Sequence, residues 1–237
     1  VVVDARTRKI TKTVEIEVKG ESIPPYYVTS DSAPGKAGII CRKEGGHDDF
    51  LMELDLSSSK LTHLARFSYV GHVAFSKDTV VSQIPFSYSP SGRPEFYKLS
   101  ELRKGPDKNG GYRQGIREPG DGKGKRNWHS NFAPFRTVND GANLVTTDEQ
   151  GKTVLFSSDC SKELWQADGI LAGVHPTKPI LLVTASADNR GASLDQKEWT
   201  LLGLHASTGR RLFRVVLQFK DAIQRGGYEQ QARNPLI

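Results

Sequence analysis

Four side chains carry most of the chemistry this sequence could perform as an enzyme: His72, His129, His175 and Arg136. Each histidine stands beside an extended run, in HVAFS (72–76), NWHSNFAPFR (127–136) and LAGVHPTKP (171–179). A neutral imidazole can ligate a divalent metal or move a proton, and a guanidinium can hold an anion. The set would therefore suit a lyase or hydrolase acting on an anionic substrate, with a divalent metal as the cofactor of that alternative. A histidine at such a place also serves as a strut bonding a neighbouring strand, and no metal or other cofactor is expected on that reading. GxSxG, HExxH and CxxCH are all missing, which argues against the commonest serine-hydrolase, zinc-protease and c-haem routes. His47-Asp48-Asp49 falls beside Gly45-Gly46 and reads as a solvated hairpin tip. His63 and His205 read as fold positions, and Trp165 and Trp199 as packing residues at matching sites.

A second constellation, Asp4, Glu17 and Lys19, loosely resembles the PD-(D/E)xK nuclease pattern, in which two carboxylates hold a metal and a lysine supports the attacking water. Asp4 lacks the preceding proline. Alternation places Glu15, Glu17 and Lys19 on one solvated strand face, so the segment reads as a strand.

Charge is concentrated in one place. The net charge is +6, yet Arg103–Trp128 alone holds eight Lys/Arg against three Asp/Glu, leaving the other 211 residues close to neutral. With seven Gly and two Pro and almost no aliphatic residue, this stretch cannot offset its ordering entropy by burial, so a loop that orders on contact is expected. Lys104, Lys108, Tyr112, Arg113, Arg117, Lys123, Lys125, Arg126 and Trp128 are its candidate binding residues. Such a mixture suits an acidic protein surface, and equally a phosphate backbone with a stacked base. A protein partner within a larger complex is the expectation, with nucleic acid or another polyanion as the alternative. The glycines form no P-loop, because no GK[ST] opens a helix.

Behind these residues lies a repeating grammar. Glu198–Phe219 reads as a strand (Trp199–His205), a tight turn (Ala206–Gly209) and a returning strand (Leu212–Leu217). Weaker versions occur at Phe50–Phe67, Val154–Gln166 and Val1–Val18. In each an apolar run meets a polar pivot: Asp4, Asp55, Asp159 or His205. Pivot spacings of 51, 104 and 46 residues suit a unit repeated about every 40–50 residues, with Phe96–Leu102 where a copy is missing. Four extended runs fill Tyr26–Tyr69, and His72–Leu102 holds three, with Ser89–Arg93 as a turn between its second and third. The next two sets lie in 127–167 and 171–217. Pro24-Pro25 reads as a connector. The 23 Gly and 12 Pro suit turn-rich β structure, and Phe219–Ile237 reads as a helical or irregular tail.

This grammar resembles the β-propeller superfamily of the YVTN and Trp-Asp-repeat type, although no unit has a full Gly-His … Trp-Asp pair. The resemblance implies an all-β fold of radial four-stranded blades, about four and a half of them, in one domain over 1–237 or as part of a larger ring. It also implies loop-borne recognition and names no reaction. The function it favours is a non-catalytic binding scaffold or complex subunit. Two cysteines, Cys41 and Cys160, read as small buried residues, with a disulfide between them as the alternative. No apolar run approaches the roughly 18 residues of a membrane span, so a soluble body is expected, cytoplasmic or exported after signal removal.

Overall fold

A computed structural model describes residues 2–3, 6–13, 15, 17–18, 21–22, 25–29, 35–42, 48–68, 72–83, 94–105, 135–139, 141–148, 150–175, 177–185 and 198–218. Two short strand pairs come first: β1 (Val2–Val3) with β2 (Ile10–Lys12), and β3 (Glu17–Val18) with β4 (Glu21–Ser22). The second pair was not anticipated. The first sheet proper is β5 (Pro25–Thr29), β6 (Lys36–Arg42), β7 (Asp48–Asp55) and β8 (Leu61–Ser68). Pro25 thus opens a strand rather than linking two sheets, a place where its missing N–H is tolerated. The second sheet contains β9 (His72–Phe75), β10 (Thr79–Gln83) and β11 (Pro94–Lys98). The third is β12 (Arg136–Val138), β13 (Asn143–Thr147), β14 (Lys152–Ser157) and β15 (Glu163–Asp168). The fourth is β16 (Ile170–Val174), β17 (Ile180–Ala185), β18 (Glu198–His205) and β19 (Arg211–Gln218). Every pairing is antiparallel between sequence neighbours, so each sheet is a meander.

Strand alternation then decides how the sheets stack, because successive side chains point to opposite faces. On β10, Val80 joins a core with Ile40, Leu51 and Ala65 of the first sheet. Its neighbour Val81 joins one with Leu144, Val154 and Phe156 of the third. On β13 and β14, Val145 and Leu155 turn the other way, toward Leu181, Val183 and Leu204 of the fourth. Three apolar layers therefore cement four sheets in chain order. A fourth layer, Ile39, Cys41, Met52 and Leu54, covers the far face of the first sheet. Meander sheets stacked face to face in sequence are the blades of a β-propeller, and the chain is an all-β protein of that fold.

Where Glu95–Leu102 was expected to be the third extended run of its set, the strand stops at Lys98 and a one-turn helix α1 (Leu99–Leu102) follows. Leu99 and Leu102 are buried beside Ala65. The periodicity changes there because the chain turns its apolar residues back onto the first sheet. The segments 84–93, 106–134, 186–197 and 219–237 lie outside the described residues. With them lie the Ser89–Arg93 turn, most of the basic insert and the tail.

Candidate functional site

The pivots of the repeat are turn caps. Asp55 accepts from the backbone N–H of Ser57 and Ser58 at 3.0 and 2.9 Å, and from the Ser57 hydroxyl at 2.6 Å. Asp159 also caps its turn, accepting from the Ser157 hydroxyl and from the hydroxyl and N–H of Ser161, but it is not at the expected pivot place. Ser157 stands there, its N–H donating to the Lys162 carbonyl as those of Asp55 and His205 do to Lys60 and Arg210. Asp159 lies two residues further into the turn. These bonds favour the ionised form: the Ser157 hydroxyl and the Ser161 N–H hold Asp159 down at about 2, and Asp55 is lowered further, led by the Ser57 hydroxyl. His205 replaces the carboxylate with an imidazole, its Nδ1 accepting from the Ser207 N–H at 3.3 Å. Asp4, the fourth pivot, lies outside the described residues. The first turn carries Arg8 at φ 56°, matching Ser59 at 58° and Gly209 at 67°, each four residues past Asp4, Asp55 and His205 in sequence. In the third sheet the left-handed residue is instead Cys160 at 58°, directly after Asp159.

A bulge follows each of these turns. Register skips Leu64 between Met52↔His63 and Leu51↔Ala65, Leu164 between Phe156↔Glu163 and Leu155↔Trp165, and Leu212 between Leu204↔Arg211 and Gly203↔Phe213. In the first pair it skips Thr11, between Val3↔Ile10 and Val2↔Lys12. The bulge makes Ala65, Trp165 and Phe213 equivalent by register; Ala65 and Trp165 face the next blade, and Phe213 takes the corresponding face of the fourth sheet. Trp165 shows what the position does. Its Nε1–H donates to the Ala206 carbonyl at 3.0 Å, and its ring lies on Gly209 so closely that a Cβ there would sit 2.9 Å from Cδ2. Trp199 is not its counterpart, since it lies on the third strand of a blade and Trp165 on the fourth.

The candidate catalytic residues separate. His72 and Arg136 open the first strands of adjacent sheets, and the structure brings them together. The His72 Nε2–H donates to the Phe135 carbonyl at 2.8 Å. Burial and, secondarily, Arg136 lower its pKa to about 4 against the opposing pull of that bond, so the ring is neutral at neutral pH. His175 instead follows the end of β16, where its Nδ1 accepts from the N–H groups of Thr177 and Lys178 at 3.2 and 3.1 Å. Ser76 holds the same place after β9, its Oγ accepting from the Thr79 N–H at 2.9 Å. His129 lies outside the described residues. Among the described residues no group of three or more His, Cys, Asp or Glu is placed to hold a metal.

Of the basic insert, only the root is described. Lys104 reaches Glu101 at 2.6 Å, and Arg103 reaches Glu53 at 2.7 Å, where Lys36 also binds at 2.9 Å. Burial works to raise the Glu53 pKa, but the two cations outweigh it and lower it. Lys108, Tyr112, Arg113, Arg117, Lys123, Lys125, Arg126 and Trp128 lie outside the described residues. Sequence reasoning missed one built ion pair: Asp49 is not in a solvated tip but buried on β7. Arg42 Nε and Nη2 grip its two oxygens at 2.5 and 2.6 Å. The signal was present, since Arg42 and Asp49 flank the Gly-Gly tip as a cross-strand pair. Cys41 and Cys160 are free, buried in different layers, and burial pushes their thiols up to about 11 and about 12.

No family model matches the chain, and no curated protein matches it. Among solved structures it is similar to the hydrazine synthase of Kuenenia stuttgartiensis, with 14% identity over 89% of this chain and a TM-score of 0.44. It is also similar to BamB from Moraxella catarrhalis, with 11% identity over 83% of this chain and a TM-score of 0.38. The match spans 53% and 62% of those two chains.

Proposed function

We propose that the chain is a non-catalytic β-propeller scaffold of the YVTN or Trp-Asp-repeat type that binds a protein partner within a larger complex, using its loop rims and the insert at 103–128. The observation that carries this reading is how the chemically capable side chains among the described residues are spent. His72 bonds the Phe135 carbonyl, His175 and His205 cap turns, and Asp55 and Asp159 cap turns. Asp49 and Glu53 are held in ion pairs. A catalytic group must be able to change its protonation or bonding near substrate, and these are committed to the frame. Recognition is left to the loop rims and to the basic insert, whose root Arg103 and Lys104 follow α1 and bind Glu53 and Glu101.

Deletion of 106–126, leaving Arg103 and Lys104 on their carboxylates, tests the reading. Partner capture by the intact chain, followed by loss of that capture in the deletion with unchanged thermal unfolding, is the expected result. Retention of every partner by the deletion variant would overturn the insert's role. Turnover of an anionic substrate that His72→Gln abolishes would overturn the scaffold reading itself. Binding only to polyanions, weakening steeply with salt, would transfer the insert to nucleic acid.

A further inference from the structure

In a meander sheet the turn between the first two strands and the turn between the last two lie at the same end of the strands. Hydrogen bonds join these turns from sheet to sheet into one rim. In the turn after β9, Ser76 Oγ donates to the Ser158 carbonyl and the Lys77 N–H to the Gly141 carbonyl, both in turns of the third sheet. Trp165, just past the turn after β14, bonds Ala206 in the turn after β18. The Ala206 N–H in its turn donates to the Pro179 carbonyl, in the turn after β16. Arg103, past α1 at the end of the second sheet, reaches Glu53 near the end of β7. The chain therefore enters the basic insert from this rim.

Every sheet sets cations on it: Lys60 on the first, Lys77 and Lys98 on the second, Lys162 on the third, Lys178 and Arg210 on the fourth. All six are exposed, and of these described residues none is held in an ion pair or a side-chain hydrogen bond. Carboxylates on the same rim are committed elsewhere. Asp55 and Asp159 cap turns, Asp78 accepts from the Ser158 hydroxyl, and Glu101 is bound by Lys104. Among the described residues the other end of the strands has no such series: Arg42 grips Asp49, and Arg136 and Lys152 are half-buried.

We propose that this rim, continuous with the root of the insert, docks an acidic surface of a protein partner. The docking rests on the scaffold reading and gives the side of the scaffold that is used and the charge of what it meets. Three features favour a protein over a phosphate backbone. The cations stand one or two to a sheet, and five of the six are lysines, point charges without the planar fork that grips phosphate in two bonds. Asp55 and Asp159, kept ionised by their capping bonds, stand among them and would repel a run of phosphates. The described residues of these turns also expose no aromatic ring on which a base could stack. A folded surface can instead set single carboxylates opposite single lysines and avoid both aspartates.

Binding of labelled poly-L-glutamate to the whole chain at low salt, read by fluorescence anisotropy, tests the proposal. The rim variant combines Lys77→Gln, Lys162→Gln and Lys178→Gln. A control of equal charge change places Gln150→Glu, Gln166→Glu and Arg214→Gln away from the rim. With far-UV circular dichroism and thermal unfolding unchanged in both, the rim variant should bind about tenfold more weakly and the control about as well as the parent. The same loss should appear in the chain lacking 106–126. Absence of binding, equal weakening in the control, or a rim effect that vanishes with the insert would overturn the proposal. So would tighter, equally rim-dependent binding of duplex DNA or of phosphatidylserine vesicles at matched salt, which would give the rim to phosphate. The two readings fail separately: turnover that His72→Gln abolishes would remove the scaffold while leaving rim-dependent binding intact.

Discussion

Gly209→Ala isolates the contact that joins the third and fourth blades. Gly209 sits at φ 67°, in the left-handed region, where an L side chain costs about 1–2 kcal/mol. That cost is tolerable in this turn, since Ser59 and Arg8 stand at the matching place with φ 58° and 56°. The rest of the penalty comes from Trp165. A Cβ on residue 209 would lie 2.9, 3.1 and 3.2 Å from Cδ2, Cε3 and Cγ of the indole, atoms near the stem of the side chain that cannot swing aside freely. Shifting the ring strains its hydrogen bond to the Ala206 carbonyl and adds overpacking of about 1–3 kcal/mol. Together the substitution should cost about 2–5 kcal/mol. In a Trp165→Leu background only the backbone part should remain. The double-mutant cycle, measured by urea denaturation followed by far-UV circular dichroism, should therefore show coupling of about 1–3 kcal/mol. Additive effects, with coupling inside about 0.5 kcal/mol, would refute the claim that the glycine is there for the tryptophan.

Three further outcomes follow from the same geometry. His72 has a folded-state pKa of about 4, below the ordinary histidine value, so its contribution is fully present above about pH 6.5 and is lost as pH falls toward 4. Equilibrium stability should drop by about 2–3 kcal/mol across that window, and His72→Gln, whose amide can still donate to the Phe135 carbonyl, should flatten the slope. Asp159, held at about 2, contributes in a lower window, fully present above about pH 4 and lost below it. Asp49→Ala leaves Arg42 without its bidentate partner on a strand whose carboxylate is 1% exposed, and should cost about 3 kcal/mol in thermal or chemical unfolding. Cys41 and Cys160 should resist thiol reagents in the native protein and react at the rate of unfolding, which stopped-flow labelling in denaturant would measure.

The blades were legible because a strand's period of two and a tight turn leave local marks. The four meander segments fall where alternation and turn residues placed them, and the pivot Asp55 was visible as a polar residue closing an apolar run, whereas in the third sheet Ser157 closes the run and Asp159 caps the turn after it. The bulge was not legible, since one extra residue on a strand leaves no mark in composition and the partner's register is not visible in the sequence. Without it, Trp165 and Trp199 looked equivalent although they lie on different strands. The candidate histidines looked alike because each adjoins an extended run, but proximity in sequence says nothing about which end of the strand they occupy. His72 opens its strand and His175 follows the end of one. Arg42 and Asp49 were hidden by charge, because acidic residues beside Gly-Gly suggest water until the cross-strand register is known.

Ala65 extends this reasoning to the interface between the first and second blades. It holds the Trp165 position by register, yet it is small and fully buried. On the next blade the strand β11 leads not into a tight turn but into α1, whose buried Leu99 and Leu102 share one core with Ala65. The residue at the bulge is thus chosen by what the following blade presents: a turn with a glycine takes an aromatic, and an apolar helical turn takes alanine. Ala65→Trp should be tolerated only by displacing Leu99 and Leu102, at about 1–3 kcal/mol or more. Because Arg103 follows that helix and binds Glu53, the same substitution should also release the root of the basic insert. Faster hydrogen exchange at Leu102–Gly105 would report that release. Native exchange there, together with unchanged stability, would show that the position is indifferent to its neighbour.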